Sequence, residues 1–571
     1  MFDLASSGWF FLLLFLFFTV CIGLLERKRI TDAAGFLLTG GTAPTALRPV
    51  AFAAAGLSAE SLLAAGSAGA RFGLSALWLI VLGSLAAIVA SGLWFVPLYR
   101  RAGARSVPEF LGVRLGRNVR VVSAVLLATA AFGGAALLLA AMARMALRLH
   151  LTDGLFYALG LPRSWAYPVA VAVFAGIVAL YVLFSGLAGT LANQTIQFGL
   201  LLAGLLPAVY LGLRHLGGWS GLSAALPAAL ASAVPANAGS SWLLLAAGLV
   251  LGLGFWCVDQ RPLQAALGAS SDRAARRTPW IAALLWLLLA GAMVAAGAIA
   301  LALPTPQSTT TVREENGIIY HDVKIVPRET SEGRGLVPAH LDPPTGHALA
   351  TADGRPVLDS ALAAPILLGY ELPQNLLALG IAALLAAFMS GLASSLSALT
   401  ALVLHDIYQP LTQPTLQAAT KDKPRWPALS LSLARWATLA AAWLVAVLAW
   451  ISGRLDLLAG GTVLNVSLLL LALGVAPVFA SVLATRLLPR VTQPAALTAL
   501  LASAAAALLH YGLTLPAESA AGLNGGWITA LYRYPDSLTQ CLATAAIALA
   551  VHLTVSVIAA SFARPRTSPA R

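Results

Sequence analysis

The sequence predicts an all-α membrane protein that crosses the bilayer many times. Of its 571 residues, 59% are hydrophobic and only 10% are charged, and the mean hydropathy is +0.85. A soluble globular protein has about 25% charged residues. Apolar windows long enough to span a bilayer recur along the whole chain. The sequence shows no phosphate loop, nucleophile triad or metal-ligand spacing, so no enzyme is predicted.

About thirteen apolar segments have the length of roughly 20 residues that a membrane helix needs. The first segment lacks a preceding basic residue and a following small-residue cleavage site, so it is interpreted as a helix and not as a signal peptide. The predicted spans are residues 6–25, 47–67, 74–98, 121–147, 165–186, 190–213, 240–260, 279–303, 374–404, 429–451, 462–484, 494–515 and 538–562.

The basic residues predict the orientation of these spans. Most of the 35 lysines and arginines fall in connections that are cytoplasmic if the amino terminus is outside and the carboxyl terminus is in the cytoplasm. The net charge of +13 therefore reflects topology and gives no support for nucleic-acid binding. Few lysines, many arginines and abundant alanine are typical of a GC-rich bacterial genome, so we expect a multi-pass protein of the bacterial inner (plasma) membrane.

The connection 304–372 differs from the others because it is long, polar and rich in proline and glycine. Asn316-Gly317 and Asp353-Gly354 lie between strand-like runs, and such dipeptides are strong hairpin signals. We expect a small external β-rich loop here. The alternative is a disordered insertion.

Two spans have features that favour a broken helix. The second, VAFAAAGLSAESLLAAGSAG, carries Gly56, Ser58, Glu60 and Ser61 near its middle. The seventh, LLLAAGLVLGLGFWCVDQ, contains the glycine cluster Gly248, Gly252 and Gly254. Clustered glycines allow a helix to unwind, and paired interruptions in two halves of a chain are typical of inverted-repeat transporters. Close packing through small residues is the alternative.

The ninth span carries a row of hydroxyls. Ser390, Ser394 and Ser397 follow i, i+4, i+7 spacing and so share one helix face. Their oxygens are suitable ligands for a small hard cation if they lie opposite a broken helix. Alternatively, they bond back to their own helix or permit tight packing.

Four motifs resemble the sodium:solute symporter family, which includes the sodium–glucose cotransporters. They are SVPEFLGVRLG (106–116), SGLAGTLANQTIQ (185–197), FWCVDQRPLQAAL (255–267) and FMSGLASSLSALTALVLHDIY (388–408). With the spans between them they cover most of residues 25–490, and the chain looks closest to bacterial members labelled galactose cotransporters.

The resemblance implies the leucine-transporter fold, with two inverted five-helix repeats. Residues 1–46 would form a leading transmembrane helix and a cytoplasmic loop. Residues 47–215 would form the first repeat. Residues 240–490, including the external loop, would form the second. Residues 491–571 would add two transmembrane helices and a cytoplasmic tail.

The resemblance also implies a sodium site. The family's ligands fall on the carbonyls of Ala54, Leu57 and Ala387 and on the hydroxyl positions Ser390 and Gly391. Gly391 has no hydroxyl, so a water or Ser394 would replace that ligand, and we expect weakened coupling.

The positions that recognise sugars depart from the family pattern. The acidic position before the family's LQ is Gln194, a lysine position is Trp286 and a glutamine position lies near Leu468. An asparagine and a histidine become Gly56 and Ser61. Loss of such polar partners argues against an ordinary sugar site. The candidate solute-binding residues are Gly56, Glu60, Ser61, Phe255, Trp256 and Trp286.

Three further polar residues have specific interpretations. Glu60 is an ionisable group at membrane depth, which indicates a coupling proton or a contact to a cationic solute. Otherwise it lies at a helix end in the outer vestibule or pairs with Arg71. Asp259 and Gln260 are expected to hold the cytoplasmic end of the seventh span together, with Arg261. His405 is expected to have an ordinary structural role.

These features predict a secondary active transporter that couples sodium to the symport of a small polar solute, a sugar being one candidate, by alternating access. The alternatives are proton coupling and a ligand-binding sensor of the same fold that no longer transports. We expect no cofactor besides the coupling ion, with membrane lipid and the solute as partners, and no nucleic acid or obligate protein partner.

Overall fold

A computed structural model of the chain shows a bundle of long helices and one small hairpin. The described residues are 6–28, 30–38, 44–56, 59–148, 160, 162–232, 238–305, 309–315, 318–324, 333–339, 356–412, 430–454, 469–488, 491–514 and 537–562.

The helices and strands follow one another in this order. The helices are α1 (Ser6–Arg27), α2 (Ala33–Leu38), α3 (Leu47–Ala55), α4 (Ala59–Phe72), α5 (Trp78–Arg101), α6 (Val107–Leu115), α7 (Arg117–Arg148), α8 (Ala166–His215), α9 (Gly218–Ala225), α10 (Ala238–Val258), α11 (Gln260–Leu267), α12 (Asp272–Ala302), α13 (Ala363–Glu371), α14 (Gln374–Thr412), α15 (Leu431–Arg454), α16 (Leu471–Leu487), α17 (Gln493–Thr514) and α18 (Ser537–Phe562). The strands β1 (Thr309–Glu315) and β2 (Ile318–Lys324) lie between α12 and α13.

Nine helices of the described chain are long and apolar enough to cross a membrane, and the bent pair α10 and α11 would make ten. All nine fall on predicted spans, so the chain is a multi-pass membrane protein. The expected thirteen spans are not all counted because the second is divided between α3 and α4, α8 is counted once and α16 is short. The total of thirteen and the inverted repeat therefore stay predictions.

Helix α14, which carries the row of hydroxyls, lies at the centre of the bundle. In its most apolar window 89% of the residues are buried, against 22–28% for α1, α15, α17 and α18. It packs against α8, α7, α1 and α15. Polar side chains on α14 are therefore shielded from lipid.

Helix α8 is bent at Gly186, which separates the predicted fifth and sixth spans. Gly186 has φ 50° and ψ −144°, outside the helical region. A Cβ at this position would overlap the carbonyl oxygen of Phe36. Only glycine fits this combination of backbone conformation and close contact.

The prediction that the glycines of the seventh span unwind it is wrong. Helix α10 is continuous through Gly248, Gly252 and Gly254, and the first two pack closely against the backbone of α5. The 45° bend between α10 and α11 lies at Asp259, whose backbone is extended. In an unbroken helix the ring of Pro262 would clash with the carbonyl of Val258, so the helix ends there.

The connection between α12 and α14 is partly β-structured. Strands β1 and β2 pair antiparallel, with Glu315 opposite Ile318, which confirms the hairpin predicted around Asn316-Gly317. The second expected turn, Asp353-Gly354, lies outside the described residues. The end of the connection differs from the expectation of a purely external loop, because α13 is a buried apolar helix that packs against α12, α8 and α4.

Candidate functional site

A cavity of about 160 Å³ lies beside the break between α3 and α4. Its lining comes from α4, α5, α7, α10, α11, α12 and α16 as well as from the end of α3. Four predicted solute-binding residues meet there, namely Gly56, Phe255, Trp256 and Trp286. The two others, Glu60 and Ser61, lie in α4, and their side chains are outside the described part of the chain.

Aromatic rings form one side of this cavity. The ring of Trp256 lies edge-to-face with those of Trp286 and Phe255, at centroid distances of 5.0 Å in both pairs. It stacks on Phe52 at 5.4 Å. A Cβ on Gly56 would overlap Cη2 of Trp256 and would lie 3.0 Å from Cζ3 of Trp286. The two tryptophans therefore fill the space next to the end of α3.

Two of the oxygens predicted to bind sodium meet across the α3–α14 contact. The hydroxyl of Ser390 donates a hydrogen bond to the carbonyl of Ala54 at 3.3 Å. Oxygens at this separation can both ligate one cation with ligand distances of about 2.3–2.6 Å, as found for Ca²⁺, whose radius is close to that of Na⁺. Ala387, Gly391 and Ser394 are buried on the same helix. Leu57 lies outside the described residues.

The hydroxyl row of α14 faces other helices. Ser390 bonds to α3, and the hydroxyls of Ser397 and Thr190 on α8 are 3.0 Å apart. The Ser394 hydroxyl is buried and has no hydrogen-bond partner among the described residues. The amide of Gln194 donates to the carbonyl of Ser390 at 3.4 Å. The predicted shared face is confirmed, and bonding back to the same helix does not account for Ser390 or Ser397.

An ion pair holds the bend between α10 and α11. Asp259 accepts hydrogen bonds from the backbone N–H, Nε and Nη2 of Arg261 at 2.8, 3.0 and 2.9 Å. Both side chains are nearly buried, and the guanidinium lies 4.8 Å from the ring centre of Phe255. The expected role of Asp259 in holding this end together with Arg261 is consistent with these contacts.

A second ion-pair network joins α6, α7 and the end of α14. Asp406 accepts hydrogen bonds from Ser106 Oγ and Arg120 Nε, both at 2.9 Å. Arg120 also donates to the carbonyl of His405, and His405 Nε2 lies 3.3 Å from Glu109 Oε2. The network thus connects the SVPEF and HDIY motifs, nearly 300 residues apart.

Glu109 is the acidic end of this network, on α6 outside the candidate spans. Burial alone would raise its pKa, but His405, Arg120 and the backbone N–H of Arg105 together lower it to about 2. The carboxylate is therefore ionised at neutral pH. Sequence reasoning did not identify Arg120 as a functional residue. The Ser106-x-x-Glu109 pattern does signal the capped start of α6, where Ser106 Oγ accepts a hydrogen bond from the Glu109 N–H.

Comparisons with known proteins agree with this architecture. The profile of the sodium:solute symporter family matches residues 36–328, just over half of the chain. The bovine (Bos taurus) sodium/mannose cotransporter SLC5A10 is 25% identical over 338 residues, 56% of this chain and 49% of that protein. The matched segment therefore spans only about half the length of that relative.

A solved transporter structure resembles the whole chain. It is the substrate-bound, outward-open state of a Na⁺-coupled sialic acid symporter, with 15% sequence identity, a TM-score of 0.69 and coverage of 99% of both chains. At this identity the likeness shows a shared fold. From the family match and the shared fold, the chain belongs to the sodium:solute symporter family.

Proposed function

We propose that the chain is a secondary active transporter that couples sodium entry to the symport of a small solute by alternating access. Family membership supports this activity. The observation that carries the proposal is the hydrogen bond between Ser390 and the carbonyl of Ala54. Ala54 is two residues before Gly56, which lines the cavity. A cation on this pair and a solute in the cavity would both stabilise one position of α3, which is the physical basis of coupling.

The proposed sodium ligands are the carbonyls of Ala54, Leu57 and Ala387 and the hydroxyl of Ser390. Ser394, one helical turn further along α14, supplies the oxygen that Gly391 lacks. Its buried hydroxyl without a described partner supports this assignment, because such a group otherwise costs about 1–3 kcal/mol.

The proposed architecture is the 5+5 inverted repeat, with residues 47–215 and 240–490 as its halves. The two interruptions, between α3 and α4 and between α10 and α11, support it because each lies in the first helix of a proposed half. We further propose a bacterial inner-membrane location with the amino terminus outside and the carboxyl terminus in the cytoplasm.

The sodium site is tested by equilibrium binding of ²²Na⁺ to the protein in lipid nanodiscs. Ser390→Ala should weaken sodium binding about tenfold, because it removes one of few ligands from a buried ion. Ser503→Ala, a buried serine on α17, is the matched control and should leave sodium binding unchanged. Binding that is absent from the wild type, or unaffected by Ser390→Ala, would contradict the site.

A further inference from the structure

The cavity beside α3 has the size of a single small ring. Its volume of about 160 Å³ is close to that of an engineered cavity of about 150 Å³, lined by apolar side chains, that binds benzene. Because Gly56 is in contact with Trp256 and Trp286, the cavity cannot extend further toward the end of α3 without movement of these rings. The part of a solute that lies against these rings is therefore about the size of one small ring.

The described lining is largely apolar. Besides the aromatic rings it consists mainly of leucine, isoleucine, valine, alanine and glycine, such as Leu79, Leu251 and Val475. Trp286 and Phe255 lie at 71° and 87° to Trp256, so they offer both ring faces and ring edges. Such surfaces favour a flat ring, which gains edge-to-face and offset-stacked contacts beyond its buried area.

The described lining residues offer few polar groups to a hydroxylated solute. Among the described lining residues, the polar side chains other than the tryptophans are Ser84 and Arg261. The charge of Arg261 is already matched by Asp259. Aromatic faces can also contact the C–H face of a sugar, but every buried hydroxyl that lacks a partner lowers affinity. With the described lining residues alone, a hexose would leave several of its hydroxyls unmatched.

Trp286 supplies one unmet donor. It is 3% exposed, and its indole nitrogen has no hydrogen-bond partner among the described residues. An indole N–H is a donor only, so the group that completes it must be an acceptor. Because Trp286 also lines the cavity, an oxygen on a solute there can be that acceptor.

We propose that the solute is a flat, largely apolar molecule of about one six-membered ring that carries a hydrogen-bond acceptor which Trp286 meets. This inference rests on the proposed function, because it takes the cavity as the solute site. It departs from the sugar that the bovine relative transports, and it is carried by the lining and by the indole nitrogen.

The proposal is tested with three radiolabelled probes in equilibrium dialysis against the full chain in nanodiscs. Benzamide has the ring and the acceptor, cyclohexanecarboxamide has the acceptor on a puckered ring, and mannose is a polyol of similar size. Benzamide should bind at least tenfold more tightly than mannose, with cyclohexanecarboxamide between them.

Trp286→Phe keeps an aromatic ring and removes the donor. It should weaken benzamide binding on the order of tenfold. Trp280→Phe, six residues earlier on α12 and 43% exposed, should leave it unchanged. Tighter binding of mannose than of benzamide, or equal benzamide binding by wild type and Trp286→Phe, would overturn the proposal.

The same samples separate this inference from the proposed function. ²²Na⁺ binding that depends on Ser390, combined with a preference for mannose, would keep sodium coupling and reject the ring-shaped solute. Benzamide binding that depends on Trp286 but occurs equally in sodium and choline chloride would keep the solute assignment and reject coupling.

Discussion

At the scale of single residues, the site depends on a missing side chain. Gly56 ends α3 where the rings of Trp256 and Trp286 occupy the space that a Cβ would need. Glycine here serves close approach and not a special backbone conformation, because its φ of −75° is ordinary. Gly56 therefore both borders the break in the second span and contacts the aromatic rings that line the cavity.

Replacement of Gly56 tests this link. Gly56→Ala should destabilise the protein by about 1–3 kcal/mol and weaken benzamide binding, because the methyl group displaces Trp256 toward the cavity. Gly176→Ala is the control, since nothing lies within 4 Å of a Cβ at that exposed position of α8, and it should be neutral or stabilising. Thermal unfolding in detergent measures both. Equal changes in unfolding temperature for Gly56→Ala and Gly176→Ala would show that the contacts of Gly56 with the rings do not limit stability.

A second residue-scale prediction concerns pH. The pKa of Glu109 is about 2 in the folded protein and 4.5 for an unperturbed group. The folded state therefore holds this carboxylate ionised more strongly than the unfolded chain does. Its contribution to stability is complete above about pH 4.5 and is lost as the pH falls toward 2.

Glu109→Gln should remove part of that acid sensitivity. The unfolding temperature of the variant should fall less steeply than that of the wild type as the pH is lowered below about 4.5. Asp272→Asn, at a carboxylate whose side chain is 69% exposed, should keep the wild-type slope. A parallel pH profile for Glu109→Gln would refute the role of this carboxylate.

At the scale of elements, α14 connects two polar centres, namely the Ala54–Ser390 pair and the ion-pair network around Asp406. Its middle presents Ser390 to α3, and its end presents His405 and Asp406 to α6 and α7 through a π-helical turn. A π-turn adds one residue and so changes which side chains face inward. Movement of α14 would therefore be transmitted to both centres.

The ion pair at the end of α14 should be structurally costly to break. Asp406→Ala leaves Arg120 buried without its carboxylate, and we expect a loss of about 3–5 kcal/mol. The matched control is Asp272→Ala, which breaks the exposed pair with Arg100 and should cost at most about 1 kcal/mol. Urea or thermal unfolding compares the two. Similar losses would indicate that the Arg120 network does not hold these helices.

At the scale of the whole molecule, the bundle has a buried centre and a lipid-facing rim. Helix α14 is enclosed, whereas only 22–28% of the residues in the apolar windows of α1, α15, α17 and α18 are buried. Such a division is what a transporter core surrounded by peripheral helices requires. The orientation of this bundle in the membrane rests on the distribution of lysine and arginine.

Single cysteines test that orientation. In a background without Cys21, Cys257 and Cys541, a cysteine replacing Thr351 should react with a membrane-impermeant maleimide in intact cells. A cysteine replacing Lys421 should react only after permeabilisation, because its connection is predicted to be cytoplasmic. The reverse pattern would invert the proposed topology.

Local properties of the sequence by themselves determined the membrane-length helices, the shared face of the hydroxyls and the hairpin. Hydropathy predicted every membrane-length helix of the described chain, because a bilayer requires an apolar run whatever the neighbours are. Helical spacing predicted the shared face of Ser390, Ser394 and Ser397. The hairpin around Asn316-Gly317 followed from turn chemistry that acts over four residues.

Only the tertiary structure decided which of these features meet. Gly248 and Gly252 of α10 pack on α5 and do not unwind the helix, since a partner backbone at contact distance makes the continuous helix favourable. The bend falls at Asp259, for which Pro262 was the unused signal in the sequence. The contacts of Gly56 with Trp256, and of Arg120 with Asp406, join residues about 200 to 300 positions apart. Such contacts depend on how the helices are arranged, which no local pattern specifies.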